Sequence, residues 1–251
     1  MNDTLNPRPV TDSPAHDCDS RGAEPVPCAC PESFERLTVL ARLLAYPHGG
    51  PRAGAGAHDE SPAALARRHA AASAEPDAWR LFADEADLLG QAGLEEIYER
   101  TFDLSPVVAP YLSVHLWGEE SFQRAMLMTG LRAAYGRIGV SDGTELPDHL
   151  ALVLESGPRL PGPEWADLAI YAVLPAFRLM SEALAPSRSP YRHLLPAAIA
   201  EVAATVGLTV PEALELPTPT QRPGCTTTGA GPGQSPTGGC GTRPCNTLGG
   251  P

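Results

Sequence analysis

Lysine is missing from this chain. All 18 basic residues are arginine, set against 30 acids, for a formal charge of −12. An acidic chain without a basic cluster is poorly suited to a phosphate backbone, so a nucleic-acid partner is not expected. Long apolar runs are also missing: no 18 consecutive apolar residues occur, and no membrane insertion is expected. The opening residues, MNDTLNPRPVTDSP, lack the basic and apolar regions of an export signal. The chain is therefore expected to remain in the cytoplasm. Alternating β-branched runs are scarce, which predicts almost no strand. Signatures of common catalysts are absent as well: there is no GxSxG, GxGxxG, GxxxxGK or HExxH.

Residues 33–217 contain no cysteine. All six lie outside that span, at Cys18, Cys28, Cys30, Cys225, Cys240 and Cys245. A metal or redox site built from Cys28-Ala29-Cys30 and the C-terminal trio is one reading. Zinc sites favour closely spaced pairs such as CxxC, and no CxxC exists here, so incidental thiols are the favoured reading. Glycine and proline, by contrast, are abundant at 24 and 28 residues, and they concentrate toward the ends. Residues 1–32 and 218–251 read as disordered tails, because their composition buries too little apolar surface to offset ordering entropy. Residues 33–217 read as one all-α domain, a single compact helical bundle.

The helical periods are explicit. Phe34, Leu37, Leu40, Ala41 and Leu44 share a face in a helix that Pro47 ends. Ser61-Pro62 is a helix-start signal. Trp79, Phe82, Ala86 and Leu89 line a helix expected to end at Gly93, and Leu94, Ile97, Tyr98 and Thr101 a short one after it. Glu119–Ile138 predicts a long helix with two apolar stripes, Phe122/Met126/Thr129 and Leu127/Leu131/Ala134/Ile138. Such a helix is expected to be central. A further helix is expected near Pro147. Another spans about Glu164–Ala185, with Trp165, Leu168, Ala172, Ala176, Leu179 and Ala183 in register, bent or broken by Pro175. The last covers about Pro190–Val206.

Two segments carry chemistry that packing alone does not require. In Tyr111-Leu-Ser-Val-His115-Leu-Trp117, Tyr111 and His115 stand four apart on one helical face. With Trp117 that face suits an apolar or aromatic peptide; the structural alternative is a core stripe whose polar tips reach backbone carbonyls. In Glu145-Leu-Pro147-Asp148-His149, Pro147 suits a first helical position and Asp148 a first turn. Helix initiation does not call for His149, and an imidazole is easily switched by a neighbouring carboxylate. Contact with a partner or cofactor is the functional reading of Glu145 and His149. Adjacent acids such as Glu95-Glu96 and Glu119-Glu120 diverge on a helix and read as solvated faces.

These pieces together resemble a known family. Glu95–Asp103 with Tyr98, Thr101, Phe102 and Asp103, the Tyr111-Leu112…His115-Leu116…Gly118 segment, Arg124, Tyr135, Gly139, Glu145–Leu150 with Leu154-Glu155, and Ser189-Pro190-Tyr191 are similar to the NarJ family, within the wider TorD/DmsD group. The resemblance covers about residues 33–207. The family often has Arg-Gly where this chain has Arg124-Ala125.

The resemblance implies a TorD-like all-α fold without catalytic activity of its own. It implies a chaperone for respiratory nitrate reductase that binds the apo catalytic (alpha) subunit, largely through that subunit's N-terminal segment, until the molybdenum cofactor is inserted. No cofactor is expected to be bound permanently. The client-contact positions it implies are Glu145, Pro147, Asp148 and His149, with the Tyr111–His115 face and Trp117 as a second candidate. The same role for another molybdoenzyme, acting on a sulfoxide, N-oxide or formate, is the alternative within this class. A small helical metal-dependent hydrolase using His115, His149 and nearby acids is the alternative outside it.

Overall fold

A helix with apolar residues all round its circumference must be buried on all sides, and the last long helix has that composition. In the computed structural model, which describes residues 31–47, 60–104, 106–141 and 145–219, this helix is α9, Tyr191–Thr205. Nine of the ten residues from Leu194 to Ala203 are buried, and the tenth, Pro196, is exposed. Around it pack α1 (Pro31–Leu43), α3 (Pro76–Tyr98) and α8 (Leu174–Leu184). On that inner group lie α2 (Pro62–Ala70) against α3, and α6 (Leu150–Ser156) against α1. The short α4 (Leu112–Trp117) rests on α8, α5 (Phe122–Arg137) on α4, and α10 (Val210–Glu215) on α8 and α9. The remaining helix, α7 (Gly162–Leu168), runs on toward α8. The described residues form one apolar core and no strand; their only sheet-like pairing is a bridge between Tyr111 and His149. The all-α expectation is met. All six cysteines, residues 48–59 and most of the two expected tails lie outside the described residues, but the tail bounds need correction: α1 already begins at Pro31, and Thr218 is buried.

Several local readings hold. The α1 face Leu37, Leu40, Ala41 and Leu44 is buried. Ser61 caps α2 by accepting from Ala64 N at 3.2 Å. Inside the core, Tyr98, Phe102, Phe82 and Tyr191 form an aromatic cluster with ring centroids 4.9–5.7 Å apart. Tilted and edge-on ring pairs of this kind add about 0.5–1.5 kcal/mol each beyond their buried area. One ion pair is buried. Arg36 Nε donates to Glu201 Oε2 at 2.7 Å, and Ala74 N donates to Glu201 Oε1 at 3.3 Å, tying α1, α9 and the α2–α3 connection together.

Other readings need correction. The break in α3 falls at Gly90, not Gly93. Gly90 takes φ +64° and ψ −179°, a conformation without cost only for glycine, and the helix then resumes. Tyr98 leads directly into a π-helical turn, Glu99–Asp103. Leu89, placed on the buried face by spacing, is exposed. The helical path through Pro175 is not broken. A π-helical turn at Ala169–Val173 widens the chain just before it, with Leu174 N–H reaching back to Ala169 O. The added residue shifts the register, so Phe177, Met180 and Leu184 follow Trp165, Ala169 and Ala172 inward, and Ala183 is exposed.

The expected central helix, α5, is peripheral. Its Leu131, Ala134 and Tyr135 are buried, but Phe122 is 77% and Met126 58% exposed. The outer stripe is too thin in large apolar residues to draw a second layer over it. One helix, α10, was not anticipated. Its signal is plain in retrospect: Thr209 and Glu212 form a reciprocal capping box with Pro211 between them.

Candidate functional site

The predicted E-L-P-D-H segment does not begin a helix at Pro147. Leu146 to His149 is a turn, closed by His149 N donating to Leu146 O at 3.0 Å, and α6 starts at Leu150. The turn is fastened on three sides. Leu112 N donates to Asp148 O at 3.0 Å, and Leu150 N to Pro110 O at 2.8 Å. Tyr135 Oη donates to the carbonyl of Pro147 at 3.2 Å. Pro147 is thus a buried element of a turn, not the first residue of a helix.

His149 is itself the N-cap of α6. Its Nδ1 accepts from Ala151 N at 3.3 Å, and its ring meets Tyr111 edge-on with centroids 5.7 Å apart. Helix initiation therefore does use this imidazole, contrary to the sequence reading. An accepting Nδ1 places the ring proton on Nε2, so the cap requires a neutral ring. Burial pushes the His149 pKa down, opposed by the charges of Glu145 and Asp148, which favour the cation.

Asp148 is fully buried, and its Oδ2 accepts from both the backbone N (3.2 Å) and the hydroxyl of Ser113, in the first turn of α4. A carboxylate there complements the helix N-terminus. The network continues outward: Arg124 Nε donates to Ser113 Oγ at 3.0 Å, and Arg124 Nη1 donates to Glu119 O at 3.0 Å. One polar chain thus runs from the enclosed carboxylate to a half-exposed guanidinium.

Arg124 opens into a cleft of about 620 Å³. The end of α1 (Arg42, Tyr46), the turn after α3 (Phe102, Asp103), the 106–111 loop and α6 (Ala151, Leu152, Glu155) supply its walls. Tyr111, Glu145 and His149 line it; Pro147, Asp148, His115 and Trp117 do not. The floor is apolar and aromatic, since Tyr98, Phe102 and Ala151 are buried. The rim is charged and mostly acidic: Asp103, Glu119, Glu145 and Glu155 are exposed, against Arg42 and Arg124. Burial raises the Tyr111 phenol pKa, and Glu145 and Asp148 add to the shift.

The predicted second face divides. Tyr111 joins the cleft, whereas His115 turns away and donates from Nε2 to Ala109 O at 2.8 Å, with its pKa lowered chiefly by burial. Trp117 packs half-buried against the core. The structural alternative, polar tips satisfied by backbone carbonyls, describes His115. Among the described residues, no three His, Cys, Asp or Glu side chains converge as a metal site. Spacing alone missed Tyr46, Asp103, Arg124 and Glu155. Asp103, Arg124 and Glu155 lay within the family-like motifs, but Tyr46 carried no signal.

The fold and cleft define an all-helical domain, with an aromatic floor and an acidic rim at the meeting of α1, α6 and the α4–α5 region. Residues 68–164 match the family model described as the nitrate reductase delta subunit, the family to which the motifs pointed. No curated protein matches the chain. The match includes Tyr111, Arg124, Glu145, Asp148 and His149, while the α1 wall of the cleft lies outside it.

Proposed function

We propose that this chain is a dedicated chaperone of the nitrate reductase catalytic subunit. In this reading it binds the apo subunit by its N-terminal segment, in the cytoplasm, and releases it once the molybdenum cofactor is inserted. It works by binding rather than catalysis and holds no cofactor of its own. The observation that carries the reading is the cleft, whose lining apart from the residues at the end of α1 falls within the delta-subunit match and includes Tyr111, Glu145 and His149. Its chemistry suits an amphipathic segment: aliphatic or aromatic side chains at spacing three and four seat on the Tyr98–Phe102 floor, and Arg or Lys meet the acidic rim. Acids around a cleft raise the on-rate for such a cationic segment more than its affinity. Asp148 and Pro147 act from beneath, by holding Arg124 and the Glu145–His149 turn in place.

The test is co-expression of the full chain with the catalytic subunit, in cells able or unable to make the molybdenum cofactor. Capture of the subunit from cofactor-deficient cells, with little capture from cofactor-replete cells, is expected. Equal capture of apo and loaded subunit would refute a chaperone cycle. Capture of a different molybdoenzyme subunit instead would reassign the client.

A further inference from the structure

We propose that His149 is a specificity residue of the cleft: its Nε2–H donates a hydrogen bond to an uncharged carbonyl oxygen of the bound segment, while Nδ1 stays committed to the fold. This rests on the client reading of the cleft and deepens it by naming a chemical group that the segment must present.

The two ring nitrogens are not equivalent. Nδ1 accepts from Ala151 N at 3.3 Å, which leaves the ring proton on Nε2. Nε2 makes no hydrogen bond among the described residues. The polar side-chain atoms there that are both enclosed and unpaired belong to Trp79, Asp148, Ser156, Arg178 and Tyr191, so Nε2 is not one of them. It therefore reaches solvent, and the space that His149 borders is the cleft. Two other histidines differ: His115 and His193 spend Nε2 inside the protein, on Ala109 O at 2.8 Å and Glu85 Oε1 at 3.2 Å. A donor at the wall of an aromatic-floored cleft loses its water when a segment enters, and an acceptor on that segment must replace it.

The surrounding charges select the acceptor. The His149 ring meets Tyr111, where Glu145, Asp148 and Asp103 act against Arg124 alone. Arg124 is itself engaged with Ser113 Oγ and Glu119 O. An anionic group is repelled from this wall, and an Arg or Lys side chain has no acceptor to offer. An uncharged oxygen meets neither obstacle. Its sources are a backbone carbonyl, of which the last four in a helix lack an intrahelical partner, and the side-chain amide of Asn or Gln. The acids of the rim thus select for charge, and His149 selects for a placed carbonyl.

The test treats the two nitrogens separately. Asn sets an acceptor oxygen where Nδ1 lies, and Gln sets an amide N–H where Nε2 lies. The full chain and both variants are titrated with the N-terminal peptide of the catalytic subunit. His149→Gln should bind within about threefold of the wild type although its thermal midpoint falls for want of the cap. His149→Asn should keep the higher midpoint of the two and bind about tenfold more weakly. In wild-type protein carrying ring-15N histidine, bound peptide should move the Nε2 proton of His149 downfield with the tautomer unchanged, a shift that a purely structural role does not produce. Repeating the titrations with every Asn and Gln of the peptide replaced by Leu distinguishes the sources: a retained gap between the variants marks a backbone carbonyl, and a lost gap a side-chain amide. Wild-type binding that leaves the Nε2 proton in place overturns the proposal, as does a folded His149→Gln that binds as weakly as His149→Asn; either leaves the client reading standing. No binding of the peptide to the wild type overturns both.

Discussion

Replacing His149 separates folding from recognition, because one side chain both caps a helix and lines the cleft. Nδ1 caps α6 at Ala151 N and the ring meets Tyr111, while the same residue lines the cleft. His149→Ala removes a helix cap, about 1 kcal/mol, and an aromatic contact, about 0.5–1.5 kcal/mol. The expected loss is about 1.5–2.5 kcal/mol, equivalent to a fall of roughly 3–10 °C in thermal midpoint for a domain of this size. His149→Asn restores a side-chain acceptor at the cap and should recover roughly 2–4 °C of that fall. It does not restore the imidazole. Scanning calorimetry gives the midpoints, and titration calorimetry with the N-terminal peptide of the catalytic subunit gives the affinities. The expected pattern is partial recovery of stability without recovery of binding. An unchanged midpoint in His149→Ala would refute the capping role. Recovery of both quantities in His149→Asn would show that the imidazole makes no contact with the peptide.

Further expectations follow from the same contacts. His69, His115 and His149 all have pKa values lowered chiefly by burial, so the unfolded chain binds more protons than the folded one just below the ordinary histidine value. Their contribution is complete above about pH 6.5 and declines as pH falls through the lowered values, so the urea midpoint should be lower at pH 5.5 than at pH 7.5; equal midpoints would contradict this. Ser113→Ala strips Asp148 Oδ2 of its hydroxyl donor and Arg124 of its acceptor, and should cost about 1–3 kcal/mol in urea unfolding with weaker client binding. Arg36→Met leaves Glu201 buried and uncompensated and should cost about 3–5 kcal/mol, whereas adding Glu201→Leu should recover most of it. Gly157→Ala would drive a Cβ into the ring of Trp165, whose Nε1 donates to Thr205, and should lower the thermal midpoint by several degrees.

The helices were legible wherever a single face met a single neighbour. The spacing in α1 and the Ser61-Pro62 cap of α2 translate directly into structure, because both are local. Local patterns could not rank helices by centrality. Two thin stripes on α5 resembled a core helix, while α9, apolar round most of its circumference, was read only as the last helix, with no mark of its central place. Gly90 and Gly93 are equivalent by composition, and only the backbone distinguishes the one at positive φ. The π-helical turn before Pro175 shifted a register that a uniform period of 3.6 could not follow.

Of the residues singled out by their chemistry, Tyr111, Glu145 and His149 line the cleft: Tyr111 was marked by its aromatic face with His115, and Glu145 and His149 as more than a helix start was thought to need. That His149 is itself the cap was hidden by the rarity of histidine in that role, and the burial of Asp148 by its partnership with Ser113, 35 residues away. The α1 wall with Tyr46 reaches the cleft only through the tertiary fold.

The central claim, that the acid-rimmed cleft receives the N-terminal segment of the nitrate reductase catalytic subunit, is tested most directly by titrating that peptide into the full chain and into Glu145→Arg. Glu145 is exposed on the rim, so the variant should fold as the wild type does. The account predicts saturable binding to the wild type that weakens as salt is raised, and at least a tenfold loss in Glu145→Arg at unchanged thermal midpoint. No binding to the wild type, or equal binding to both, would contradict it.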